Sequence, residues 1–182
     1  MPAQKIIEQS PLSRSLNVAV RAIASHLFPV GYHTSPDAPE TLADIKNYYI
    51  KHATYCVYDG GCENTTFDCP ETNQDFRAWH DHCHVRLNAS LDATGELAVL
   101  KEQLFDLVTV YGYQHVFNEN WHNILTAEIL GQTQYFYNKG QFPTQQKKFA
   151  EYYITTHACK LHAEYCLKRA RDAVLKGYAH AA

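Results

Sequence analysis

Three imidazoles, a carboxylate and a thiol fall within five consecutive residues, His80-Asp81-His82-Cys83-His84. On a helix His80 and His84, four apart, share one face, and Asp81 stands three before His84. One helical turn therefore offers two imidazoles, or a carboxylate and an imidazole, to a single ion. Such donors suit Zn, Fe or Mn without selecting among them. His82 and Cys83 project elsewhere, and His82 is expected to face solvent. Glu128 is the expected ligand from another helix. It sits in the mostly apolar run Ile124-Leu125-Thr126-Ala127-Glu128-Ile129-Leu130-Gly131, where burying a carboxylate is costly unless it is paired or bound to metal. The expected metal ligands are thus His80, Asp81, His84 and Glu128. Glu96, next to Gly95 and on one face with Gln103, is the expected general base. Its alternative role is a first-turn glutamate favoured by the helix dipole. The alternative for the histidines is a core or capping role on backbone groups.

Other combinations point less far. Glu119-Asn120-Trp121-His122 is a Glu-x-x-His unit of the kind used twice in di-iron carboxylate bundles, and no second copy occurs. Cys56, Cys62 and Cys69 lack the close spacing of structural zinc sites, so they read as ordinary thiols. Cys159 and Cys166, seven apart, are expected to face the core. Gly-x-Ser-x-Gly elbows, P-loops and Gly-x-Gly-x-x-Gly turns are missing, which removes the commonest hydrolase and nucleotide-binding signatures.

The elements that position these residues read as helices. Ser10-Pro11 marks a start, and Leu12, Leu16, Val20, Ile23 and Leu27 continue a helical stripe to about Phe28. A loop follows from Pro29 to Pro39, then a second helix over about 40–55. The stretch 58–72, with Asp59-Gly60-Gly61, Asn64 and Pro70, reads as a long loop able to cover a cleft. A third helix begins near Asn73 and carries the histidines. Asp92 caps a fourth to about Tyr111, and a fifth runs from about His115 to Asn138. Thr144 opens a last one to about Lys176, stopped by Gly177. The expected fold is an all-α, single-domain bundle of about six helices spanning 1–182.

Composition agrees with a globular chain. The 182 residues are 46% hydrophobic and 19% charged; 13 Tyr point to a core or cleft whose walls carry hydroxyl groups, and 11 His exceed what packing normally calls for. A net charge of −3 and a pI near 6.4 give no basic field for nucleic acid, so no nucleic-acid partner is expected. The cluster Lys168, Arg169, Arg171 and Lys176 reads as a solvated helix face. With no bilayer-length apolar run and no export signal in Met1–Ser10, no membrane association and a cytoplasmic location with reduced cysteines are expected.

The adjacent His80-Asp81 on a helix of an all-α chain resembles the HD-domain metal-dependent phosphohydrolases. That resemblance implies a divalent ion held by an upstream His, the His-Asp pair and a downstream Asp. His52, 28 residues before the pair, fits the upstream place. No Asp lies between Asp106 and Asp172, so Glu128 would take the downstream one. The strings 76–81, 95–96 and 127–132 are also similar to those of uncharacterised bacterial and phage proteins, a likeness that carries no activity.

Together these readings lead to an all-α metalloprotein with a hydrolytic reaction on a phosphorylated small molecule. With Fe(II) in the site, oxygen chemistry of the non-haem iron type replaces hydrolysis. The alternative from another class is a non-enzymatic helical binding or assembly protein, whose histidines satisfy one another in a polar core. An enzyme requires the ligands to converge at a solvent-reachable cleft.

Overall fold

A computed structural model describes residues 11–67 and 69–181, with side chains through 177. Helix α1 (Arg14–Leu27) starts at Ser13, whose hydroxyl accepts the Leu16 amide at 3.2 Å. That cap lies three residues beyond the expected start at Ser10, which is outside the described residues. The stripe Leu16, Val20 and Ile23 is buried as its spacing requires. Helix α2 (Leu42–His52) is capped by Thr41 and buries only Ile45, so it lies on the surface of the bundle.

The loops on either side of α2 contain a short parallel pair that the sequence did not signal. Strand β1 (His33–Ser35) pairs with β2 (Cys56–Tyr58), His33 opposite Cys56. Three residues are too few to display a period of two, and His-Thr-Ser has no apolar face.

Helix α3 (Pro70–Leu87) begins with proline at its first turn, three residues before the expected Asn73. It ends at Asn88, in the left-handed region with φ of 52°. Helix α4 (Ala93–Tyr111) is capped as expected by Asp92, whose side chain accepts the Thr94 and Gly95 amides. Gly112, at φ of 84°, turns the chain into α5 (Tyr113–Asn118).

Two long helices expected from periodicity are interrupted. The fifth breaks at Asn120, whose φ of 61° an asparagine tolerates better than most residues. Beyond the break α6 (Trp121–Thr126) passes through a π turn (Ala127–Gly131) into α7 (Gln132–Lys139). The expected last helix is two, α8 (Gln146–Ile154) and α9 (His157–Ala181). The hydroxyl of Thr156 accepts the Cys159 amide at 3.2 Å and so restarts the helix. Periodicity misses both breaks because the apolar spacing carries on across them.

The fold is the expected all-α bundle. Helix α4 runs through it, against α3 on one side and α9 on the other, and α1 covers α3. Trp79, Leu100, Leu104, Leu107, Trp121, Leu125 and Leu167 are all at most 2% exposed. Each such side chain contributes about 1.5–3 kcal/mol of apolar burial. This core fixes the mutual register of α3 and α4, the two helices that carry the site. No helix among the described residues is long and apolar enough to cross a membrane.

Candidate metal centre

His80 and His84 lie one turn apart on α3, and Glu96 enters from the first turn of α4. The Nε2 atoms of the two rings are 3.0 Å apart. Glu96 Oε2 is 3.2 Å from His80 Nε2, and Oε1 is 3.4 Å from His84 Nε2. Among the described residues these three form the one group of His, Cys, Asp or Glu whose ligand atoms all fall within 4.8 Å of one another. His84 is fully buried, whereas His80 and Glu96 keep a small exposed area on a cavity.

Each ring is oriented by its other nitrogen. His84 Nδ1 is 3.1 Å from the carbonyl of Ala89, which only accepts, so Nδ1 carries the proton. His80 Nδ1 faces Gln103 Oε1 at 3.4 Å and donates in the same way. Both rings therefore turn an Nε2 lone pair towards Glu96 and towards each other. Three acceptors facing one another are compatible only with a proton or a cation between them. A metal-binding histidine commonly donates its far N–H to a carbonyl or side-chain oxygen, as both rings do here.

Electrostatics follow from this grouping. Burial alone would raise Glu96 and lower His80, but their mutual attraction outweighs it. Glu96, with His84 adding to the effect, is held at about 2, and His80 lies above its ordinary value. Without a metal, that attraction favours a carboxylate facing an imidazolium, a proton taking the place a cation would fill.

Local backbone explains why Glu96 reaches the histidines. After α3 stops at Asn88, the chain folds back so that Ala89 N–H donates to the carbonyl of His84. A Cβ on Gly95 would lie 1.7 Å from the carbonyl oxygen of Ser90. Only glycine lets the first turn of α4 close onto this connection, and Glu96 is the next residue. On the far side, Asp106 of α4 accepts from Trp79 Nε1 at 2.9 Å and pairs with Arg86 of α3. The two helices are thus pinned on both flanks of the site.

The cavity beside the triad measures about 390 Å³, and its wall includes Tyr58, Gly60, Gly61, Arg77, Glu128 and Gln132. The expected covering loop does form one wall. Arg77 holds it by donating from Nη1 to the carbonyls of Tyr58 and Gly60 at 2.6 and 2.7 Å. Thr66 of the same loop donates to Glu128 Oε2 at 2.9 Å.

The expected site residues divide accordingly. His80 and His84 converge. Glu96, expected as the general base, stands in the ligand position. Asp81 is outside the group of three, because successive helix positions diverge by about 100°. Burial raises its carboxyl to about 6, against the opposing pull of His80 and His84. Glu128 is also outside the group, on the π turn at the cavity wall. Burial raises it to about 7, with the Thr66 hydroxyl and Arg77 working the other way. His82 is half-buried rather than solvent-facing, its Nδ1 3.2 Å from the Tyr55 hydroxyl and its ring against Phe28. His52 stacks on Tyr48 at the surface, with a ring centroid distance of 4.3 Å. Its partners are not those of the triad. The Glu119/His122 unit does not converge either. Glu119 accepts from Ser15 at 2.6 Å, and His122 is stacked on Phe117. Cys159 and Cys166 are fully buried in the core, and all six cysteines are free thiols. Sequence reasoning did not reach Arg77 or Phe142, because their places in the cavity wall depend on how distant segments pack.

Comparison with protein-family models, with curated proteins and with solved structures finds no match to this chain.

Proposed function

We propose that this chain is a metal-dependent hydrolase with one divalent ion held by His80, His84 and Glu96. The observation that carries the reading is the convergence of two Nε2 lone pairs and a carboxylate at the edge of a cavity. Two imidazoles and one carboxylate with open positions are the ligand set of catalytic zinc sites. A divalent ion bound there lowers the pKa of a coordinated water towards neutrality and polarises a substrate oxygen. His84 and His80 keep their Nε2 lone pairs aimed through the Ala89 and Gln103 contacts. Glu128, which lines the same cavity and whose carboxyl burial raises to about 7, would take or return a proton. Arg77 is the guanidinium in the cavity wall for the phosphoryl oxygens of a phosphorylated small molecule.

A second reading rests on the same ligand set. Two His and one carboxylate on one side of the ion also suit Fe(II) and oxygen chemistry. The non-enzymatic reading of a sealed polar core has less support, since His80 and Glu96 border open space.

The test is hydrolysis of a panel of phosphorylated small molecules by protein loaded with Zn, Mn or Fe(II). Turnover of at least one substrate, lost on chelation and in Glu96→Gln, is the expected outcome. Turnover that survives both treatments would remove the metal from the mechanism. Consumption of dioxygen by the Fe(II) form alone would move the assignment to the second reading.

A further inference from the structure

Three aromatic side chains line the cavity that the triad borders, each from a different segment. Phe76 comes from α3, Tyr58 from the end of β2, and Phe142 from the connection between α7 and α8. Tyr58 and Phe142 are 53% and 54% exposed, so both retain apolar area to bury against a ligand. We propose that these rings form a subsite for an aromatic ring on a small substrate. The ring subsite stands on its own geometry; that its occupant also carries a phosphoryl group, which makes it an aryl phosphate, rests on the hydrolase reading.

The three rings are held before any ligand arrives. Phe142 stacks on Phe136, with centroids 4.9 Å apart and planes inclined by 29°. The Tyr58 ring folds back over its own loop, where a Cβ on Gly60 would come within 2.5 Å of the Tyr58 hydroxyl. Arg77 stands by the same ring, its guanidinium carbon 5.8 Å from the centroid. Phe76 packs against Phe67 at 5.0 Å and against the His80 ring at 5.8 Å. Among the described residues none of the three stacks on another, so their faces are not spent on each other.

An aromatic guest offers such walls two flat faces and a polarised edge. Ring pairs gain beyond area burial, because their quadrupoles attract in offset and edge-on arrangements. A saturated ring gains burial alone. Walls already fixed in place keep most of that gain, since few rotamers are frozen on binding. Arg77 adjoins Tyr58 and His80 adjoins Phe76, so the ring subsite neighbours the groups assigned to the phosphoryl oxygens and the metal. The shared space of about 390 Å³ takes one ring with its substituents.

The test is an NMR shift titration of the full isotope-labelled chain with benzyl alcohol and with cyclohexylmethanol, run beside turnover of phenyl phosphate by the metal-loaded protein. Benzyl alcohol should bind at least about threefold more tightly although it is the less apolar probe, with shifts at 58–61, Phe76 and Phe142. Phe142→Leu and Tyr58→Leu each keep an apolar side chain without the flat ring. Both should reduce this preference and leave the metal content unchanged. Equal or tighter binding of cyclohexylmethanol overturns the subsite, as does a preference that persists in both variants. Shifts confined to other surfaces, or none up to the solubility of the probes, overturn it as well. Preference for benzyl alcohol without turnover of phenyl phosphate would support the subsite and count against the hydrolase. Turnover without the preference would support the hydrolase and overturn the subsite.

Discussion

At the scale of single residues, the site is a set of charges that tolerate one another only in company. Glu96 is accommodated by two imidazoles, whereas Glu128 has a hydroxyl, a nearby amide and a more distant guanidinium. Burial consequently dominates at Glu128 and raises its carboxyl from 4.5 to about 7. Between those values the native state holds a proton that the unfolded chain has released. The native state binds more protons there, so Glu128 makes stability fall as pH rises through this window. Glu128→Gln removes the titration and keeps an oxygen to accept from Thr66. The variant should melt at a higher temperature than the wild type at pH 8, with the difference closing at pH 4.5, as scanning calorimetry of metal-free protein would read. A lower melting temperature for the variant at pH 8 would contradict the burial of this carboxyl.

At the scale of elements, the decisive feature is how α3 hands over to α4. Asn88 leaves α3 in the left-handed region, Ala89 closes onto His84, and Gly95 admits the Ser90 carbonyl where any side chain would collide. Gly95→Ala should therefore cost at least about 2 kcal/mol in denaturant unfolding and displace Glu96 from the histidines. Gly177→Ala, in α9 with nothing near its added methyl group, should be neutral or stabilising by up to about 1 kcal/mol. Equal effects of the two substitutions would contradict the close approach at Ser90.

Elements also show where sequence reading stops. Asp92 announces the start of α4 through a side-chain cap that is local to it, whereas Pro70, read as part of the loop, opens α3 three residues before the expected Asn73. The breaks at Asn120 and Thr155-Thr156 are softer, since those residues also occur inside helices and the apolar spacing runs through both. The π turn has no local signature at all. It lies where Gly131 meets the Tyr153 ring, a contact between residues 22 apart in the chain. The candidate site divides in the same way. The turn from His80 to His84 was legible because four-residue spacing is a property of one helix. Glu96 was visible as a chemically capable residue, but its place beside the rings depends on the α3–α4 crossing. Asp81 illustrates the converse, since proximity along the chain suggested a ligand that helix geometry turns away.

At the scale of the molecule, the bundle spends its apolar surface on holding α3 against α4 and leaves a loop, tied by Arg77 and Thr66, to wall the cavity. The core places three acceptors face to face, and this arrangement is the central claim that the chain is a metalloprotein. Plasma mass spectrometry of the purified, untagged protein tests it most directly, with His84→Ala and Glu96→Gln prepared in parallel. The wild type should carry close to one equivalent of a single transition metal, and both variants should have lost it while retaining their helical circular dichroism. A wild type that holds no metal after reconstitution with Zn, Mn and Fe(II), or folded variants that keep theirs, would contradict the account.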